Sequence, residues 1–392
     1  MKVLYITSKP IFPTIDGGCV AMERFLATLL RADIVVKHLL LETDKHQFKL
    51  SAYPDEIYQK TRAEHVKINT QVTPFGALRH LFKSDSYNID RFYDSKMSAL
   101  IQKCLSDEKY DSVIFDSLFT TPYLEEIRSA FNGKLYIRTH NVECDLWKGY
   151  AKEASGLKKW YLNRLAKDLE KYEMDTLSSI DGIFSISAND SDRFADLGVK
   201  TPIHNISVAV ENSKLEHDYS NNKPYHLGSM DWIPNQEAVE RLIKLTPQIR
   251  SSIPEMELNI AGLNAENYVK SNKEQGIVVH GFVKKIYSFG SEHGILVTPI
   301  QSGSGIRIKI LEAMAIGIPV ITTSIGAQGI DYHSSQCMMI ADTDKEFVEG
   351  AIRLITDQGL REKIGSNAID YIRKNHTIND ISTKLLEILG GK

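Results

Sequence analysis

Lys309 and Glu312 stand three residues apart in the run IRIKILEAMA. On a helix that spacing puts both on one face, with Cβ atoms about 5–6 Å apart. A cation beside a carboxylate suits a nucleotide: the ammonium meets a phosphate and the carboxylate accepts from ribose hydroxyls. An ordinary surface ion pair has the same spacing, so both readings stand on the pattern alone. Just upstream, Gly303, Ser304 and Gly305 form a loop where missing Cβ atoms let the backbone approach a ligand, and Arg307 adds a second cation. A helix start presents unpaired N–H groups and the positive end of its dipole, which favours phosphate. A third candidate, His140, follows the apolar run 135–139. A histidine at the carboxyl end of a parallel strand points into the crevice where α/β ligands bind; a packed or surface histidine is the plainer alternative. Arg138 and Glu143 flank it, placed to orient it or to shape a second substrate's site.

These groups need elements to hold them. Residues 294–299 read as a strand and 306–316 as a helix, because Leu311, Glu312, Ala313, Met314 and Ala315 all favour helix. Gly317 and Pro319 stop it, and a second strand follows at 319–324. At the other end of the chain, 2–7 (KVLYIT) reads as a buried strand. A loop with Asp16, Gly17 and Gly18 leads from it into an apolar-periodic helix at about 19–31. Strand, glycine turn and helix make a Rossmann-type opening, although a plain tight turn explains the glycine pair equally. Further strands are expected at 33–41, 110–116, 135–139, 179–187, 224–227, 257–261 and 277–280, with helices at 157–178, 345–357, 360–374 and 377–389. Gly228 and Ser229 follow one of these strands, and Gly281, Phe282 and Val283 another. The alternation makes each half a parallel, doubly wound α/β sheet. The polar stretch 205–223 reads as the connection, with the second domain entered near 208–212.

Composition narrows the classes. The chain has 392 residues, enough for two or three domains, and 42% hydrophobic with 25% charged residues is ordinary for a soluble globular protein. A net charge of −3 argues against a nucleic-acid partner. The four cysteines are scattered with no CxxC pair, which leaves neither a zinc signature nor a disulfide framework. The N-terminal apolar run is too short for a signal peptide, and no run of 18 apolar residues suggests a membrane span. The expected location is cytoplasmic. Within 73–93, Arg79, His80 and Lys83 sit beside Leu78, Leu81 and Phe82. That cluster suits either anionic headgroups or a solvated helix with an ordinary apolar face.

Three phrases in order carry a resemblance: RTHNVE followed by Trp147, GSMDWIPNQEA, and GSGIRIKILEAMAIGIPVITTSIGAQGI. Together they resemble retaining glycosyltransferases of the GT-B fold, in the family-4-like group (glycosyl transferases group 1). The resemblance implies two Rossmann-like doubly wound domains facing a central cleft. Residues 1–207 would form the acceptor side, with a helix at 375–392 returning to it, and 208–374 the donor side. It implies a catalytic set of His140, Lys309 and Arg307. It also implies a donor-binding set of Glu312, Gly303, Ser304, Gly305, Gly17, Gly18, Gly228, Ser229, Gly281, Phe282 and Val283. The family carries a first Glu eight positions before the one matched by Glu312; here that position is Ser304. The arginine and lysine that many members carry near the GSMDW phrase are also absent, with Arg307 and Lys309 as substitutes. The implied reaction moves a sugar from a nucleotide-diphosphate sugar to a glycan or lipid-linked acceptor in bacterial cell-surface polysaccharide synthesis. It uses no cofactor and no metal, and a peripheral contact at the inner membrane face is expected. A nucleotide-sugar epimerase of the same fold, or a catalytically degenerate binding partner, are the alternatives.

Overall fold

The computed structural model describes residues 1–71, 86–210, 217–303 and 305–390. Ser304 and the basic cluster at 79–83 therefore lie outside the described residues. The chain forms two compact units, Met1–Ser207 with Ile381–Lys392, and Val208–Asp380.

The first unit is built on seven parallel strands. These are β1 (Lys2–Thr7), β2 (Val35–Glu42), β3 (Glu64–Lys67), β4 (Ser112–Asp116), β5 (Lys134–Thr139), β6 (Gly182–Ser185) and β7 (Ile203–Asn205), in the order β3-β2-β1-β4-β5-β6-β7. The central strands carry continuous apolar runs because helices cover both faces of a parallel sheet. Leu4, Ile6, Leu39, Phe115 and Ile137 are wholly buried in one cluster. Helix α1 (Gly17–Arg31) buries Met22, Phe25, Leu26 and Leu29. It begins two residues earlier than its apolar periodicity indicates. The Asp16 side chain accepts from the Cys19 N–H and starts the helix at Gly17, so Gly17 and Gly18 lie in its first turn. Helices α2 (Glu143–Glu153) and α3 (Gly156–Ser178) pack together between β5 and β6 in sequence. The C-terminal helix, Ile378–Gly390, ties into this unit: Ser382 Oγ donates to the Thr28 carbonyl at 3.1 Å and Lys384 Nζ to that of Asn205 at 2.7 Å.

The second unit has six parallel strands. They are β8 (Lys223–Leu227), β9 (Leu258–Ala261), β10 (Ile277–Val279), β11 (Gly294–Thr298), β12 (Val320–Thr322) and β13 (Met339–Ile340), in the order β10-β9-β8-β11-β12-β13. Helix α4 (Ile233–Ser252) follows β8, and α5 (Ile308–Ala315) joins β11 to β12. The α5 helix starts two residues later than expected, with Arg307 as its cap. In both sheets the strand order reverses once, between β1 and β4 and between β8 and β11. Crossovers leave opposite faces there and open a crevice at the carboxyl ends of the strands.

Candidate active site

In the second unit, Lys309 stands at the β8–β11 crevice. Lys309, in the first turn of α5, is half-buried. Its Nζ donates to Asn235 Oδ1 at 2.7 Å and lies 3.4 Å from His226 Nε2. His226 Nδ1 is 3.0 Å from the Val297 carbonyl. A carbonyl only accepts, so the ring proton is on Nδ1 and the Nε2 lone pair faces the lysine. Burial, with the Lys309 charge adding to it, holds His226 well below its usual range, so the imidazole is neutral. Burial, and then the Arg307 charge, pushes Lys309 down to about 7. The hydrogen-bond partners of this ammonium are thus neutral groups.

Asn235 is held in turn: its Nδ2 donates to the Ser229 carbonyl at 2.9 Å. Gly228 makes room for it, because a Cβ there would sit 2.5 Å from Asn235 Nδ2. On the neighbouring strand Gly262 has φ +139°, and its Cβ would lie 1.9 Å from the Gly228 carbonyl oxygen. The backbones at the ends of β8 and β9 therefore touch in a way only glycine allows.

Arg307 takes a different position from Lys309. Its guanidinium donates to the Gly305 carbonyl at 2.6 Å and the Ser302 carbonyl at 3.4 Å, and lies 5.3 Å from the Trp232 ring. It ties the Ser302 and Gly305 carbonyls to the start of α5 and reaches Lys309 through its charge. Gly303 and Gly305 both have positive φ, +87° and +81°, which the tight loop requires. Glu312 is buried one turn further along α5, where its charge adds to burial in raising the Tyr225 phenol. Gly281, Phe282 and Val283 lie at the end of β10, two strands from β8. The Gly262 N–H donates to the Gly281 carbonyl at 2.7 Å, and Phe282 is exposed.

The first unit has a charged cluster at its own reversal point. Asp116, at the end of β4, is fully buried. Its carboxylate accepts from Arg138 Nη1 at 3.1 Å on both oxygens, from His140 Nε2 and from the Tyr5 hydroxyl. Burial works against the carboxylate, but Arg138 and His140 hold it at about 2. His140 is lowered, chiefly by burial, with Arg138 and Lys9 adding and Asp116 opposing. Lys9 itself donates to both Asp16 oxygens, at 2.7 and 2.8 Å, and His46 Nε2 is 3.0 Å from Asp16. Asp16, Cys19 and His46 place one ligand atom each within 4.8 Å of one another. The Lys9 ammonium already supplies a positive charge to that carboxylate, and burial pushes the Cys19 thiol up to about 11, so the set is poorly suited to a metal ion. Gly18 matters here because its Cβ would lie 2.8 Å from Lys9 Nζ, whereas nothing approaches a Cβ at Gly17.

The sequence pattern does not single out His226, Asn235, Asp116 or Lys9. The available signal was an ionisable residue at the end of an otherwise apolar strand, as in PYHL and SVIFD. Glu143 also proves to be buried beside a second carboxylate. Glu173 accepts from the Glu143 and Cys144 N–H groups at 3.0 and 2.9 Å, capping α2 from α3. Burial raises both acids, and their mutual repulsion adds to the rise at Glu143. Raised folded-state values mean bound protons, so the stability they contribute is full below the ordinary Glu range and is lost as pH rises through neutrality. Between about pH 5 and 8 these acids work against the folded state, while buried histidines held below their usual range, His226 among them, work the other way. The Glu143 share is isolated by comparison: relative to native protein, Glu143→Gln should gain on the order of 2 kcal/mol of unfolding free energy between about pH 5 and 8. Urea titrations of both proteins at the two pH values measure the difference; a difference that does not change with pH would refute the reading.

Residues 223–357, nearly all of the second unit's sheet and helices, match the family model described as glycosyl transferases group 1. Along almost its whole length the chain is similar to an uncharacterized 44.6 kDa protein in the cps region of Klebsiella pneumoniae. The two are 24% identical over 405 residues, covering 98% of this chain and 99% of that one. Among solved structures it is similar to sucrose-phosphate synthase from Thermosynechococcus elongatus. There the TM-score is 0.74 at 12% identity, over 99% of this chain and 98% of that one. It is likewise similar to HepE from Anabaena, solved in complex with UDP and glucose, with TM-score 0.68 at 14% identity over the full length of both. Two parallel-sheet α/β units of this kind are the GT-B fold. The second unit thus carries a glycosyl transferases group 1 domain, in a chain with the GT-B fold.

Proposed function

We propose that the protein is a retaining, family-4-like glycosyltransferase whose second unit binds a nucleotide-diphosphate sugar at the β8–β11 crevice. The transferred sugar passes to a glycan or lipid-linked acceptor in cell-surface polysaccharide synthesis. One observation carries the donor assignment: the Lys309 ammonium is held by a neutral amide and a neutral imidazole, at the strand reversal where α/β folds take ligands. No carboxylate among the described residues forms an ion pair with it, and a diphosphate would supply that counter-charge. The relative in a cps region supports the polysaccharide context, and HepE with UDP and glucose supports a uridine nucleotide as the first donor to try.

In the proposed reaction the bond from the anomeric carbon to the diphosphate oxygen breaks, and negative charge develops on the leaving group. Lys309 meets that charge, and the start of α5 adds up to about 2 kcal/mol in a favourable, partly buried geometry. The acceptor oxygen bonds to the anomeric carbon on the face the phosphate leaves. Its proton passes to a phosphate oxygen, so configuration is retained without an enzymic nucleophile. Glu312 takes the ribose hydroxyls, and Arg307 shapes the start of α5. The chain's own cations supply the positive charge, with no metal ion in the scheme.

A panel of nucleotides and nucleotide sugars tests this by thermal stabilisation, since a ligand binding only folded protein raises its apparent stability. NMR of the product with a matched acceptor then reads the anomeric configuration. Stabilisation by a diphosphate nucleotide and a retained anomer are expected. No stabilisation by any nucleotide would overturn the donor assignment, an inverted anomer the mechanism, and an epimerised sugar from donor alone the reaction class.

A further inference from the structure

The first two turns of α3 stand clear of the core. The buried residues of this helix begin at Leu165, and residues 155–160 are all exposed. Among them Leu157 is 87% and Trp160 58% exposed. They are three residues apart, hence neighbours on one helix face. A tryptophan and a leucine held out in water together are an unusual arrangement for a soluble surface.

The charge around them is one-sided. Residues 152–167 contain Lys152, Lys158, Lys159, Arg164 and Lys167 against a single acid, Glu153, in a chain whose net charge is −3. Asp168 pairs with Arg164 of this stretch at 2.8 Å, which leaves Lys152, Lys158, Lys159 and Lys167 as the excess, while Asp145 is engaged with Arg193 at 2.6 Å and Glu170 with Lys148 at 2.5 Å. Lys158 and Lys159 form no ion pair among the described residues. The amino end of α3 adds its own positive dipole end at the same place.

We propose that this tip is a docking surface for anionic lipid, with Leu157 and Trp160 entering the headgroup layer and Lys158 and Lys159 meeting the lipid charge. Tryptophan favours the bilayer interface because its ring is apolar and its N–H is polar. Two apolar side chains alone give weak attachment, and a basic patch beside them supplies the second signal that stable attachment needs. Each lysine near an anionic surface contributes about fivefold in partitioning. The surface is distinct from the 79–83 cluster raised in the sequence, and it does not depend on the donor assignment. No helix among the described residues is long and apolar enough to cross a membrane, and the contact proposed is peripheral.

Sedimentation of the full chain with vesicles of phosphatidylcholine alone, and of phosphatidylcholine mixed with phosphatidylglycerol, tests the proposal. Binding to the mixed vesicles is expected, weaker in high salt, with a blue shift of tryptophan emission that Trp160→Phe removes. Lys158→Glu with Lys159→Glu should lower binding more than about tenfold. Leu157→Ala with Trp160→Ala should lower it on the order of tenfold. All four side chains are exposed, so both double variants should keep the native thermal unfolding temperature. Absence of binding to mixed vesicles, equal binding to neutral ones, or binding indifferent to both variants would overturn the proposal. So would a native dimer in sedimentation velocity that Leu157→Ala with Trp160→Ala converts to monomer, because the face would then belong to a second copy of the chain.

Discussion

On the proposed donor site, replacing Lys309 with methionine is expected to lower kcat/KM by on the order of 10²-fold to 10³-fold, the usual loss when one preorganised donor to a developing charge is removed. Methionine keeps most of the stem volume and removes only the ammonium. Its other effect is on pH. In the free protein Lys309 sits at about 7, chiefly through burial. A bound diphosphate restores the charged form and raises that value. Below about 7 the ammonium is already present and binding takes up no proton. Above it, binding must take up nearly one proton, so affinity for a nucleotide sugar falls by up to about tenfold per pH unit until the bound-state value is passed. His226 stays neutral across this range and does not contribute. Calorimetry in two buffers of different ionisation enthalpy counts the proton. The Lys309→Met variant should show weak binding with no slope. A variant that retains native affinity and the native slope would remove Lys309 from the phosphate site.

Asp116→Asn should destabilise the first unit by about 3–5 kcal/mol, because it leaves the Arg138 guanidinium buried without its counter-charge. Arg138 is 1% exposed and Asp116 is not exposed at all, so water cannot compensate. Asp116 is also the partner that holds His140 and Tyr5, so several buried donors lose their acceptor in one substitution. Removing both charges, with Asp116→Leu and Arg138→Met, should recover much of the loss, since a packed apolar pair needs no compensation. Urea denaturation of the single and double variants separates the two cases. A single variant within about 1 kcal/mol of native would show that the pair is not holding the unit. The acid limb has a defined sign. Asp116 is depressed to about 2, so its contribution is present above the ordinary carboxylate value of 3.8 and is lost as pH falls through about 2.

Much of the architecture could be read before the structure, for a specific reason. Strands buried on both faces must be apolar throughout, and runs such as KVLYIT and SVIFD have few other uses. Short elements carry too little periodicity to read: β3 has four residues, β7 three, and the helix Asp55–Thr61 seven, barely two turns. Element ends moved where a side chain capped the helix, as Asp16 does for α1. Within the site, Lys309 and Glu312 were legible as a pair on one helix. Their surroundings were not: His226 and Asn235 reach Lys309 from 83 and 74 residues away along the chain, and no local pattern encodes such a meeting.

By itself, the sequence determined that this is an α/β protein of two doubly wound parallel sheets, with a glycine loop and a helix bearing Lys309 and Glu312 at the carboxyl edge of the second. Alternation of apolar strands and helices is a local property, and one chain suffices to state it. Only the tertiary structure decided the charge state of the site. Whether a lysine is an ammonium near neutrality depends on what buries it and which charges surround it, and here those groups come from β8, α4 and the loop before α5. The same holds for Asp116, whose character is set by Arg138 and His140 on the neighbouring strand and the turn that follows it.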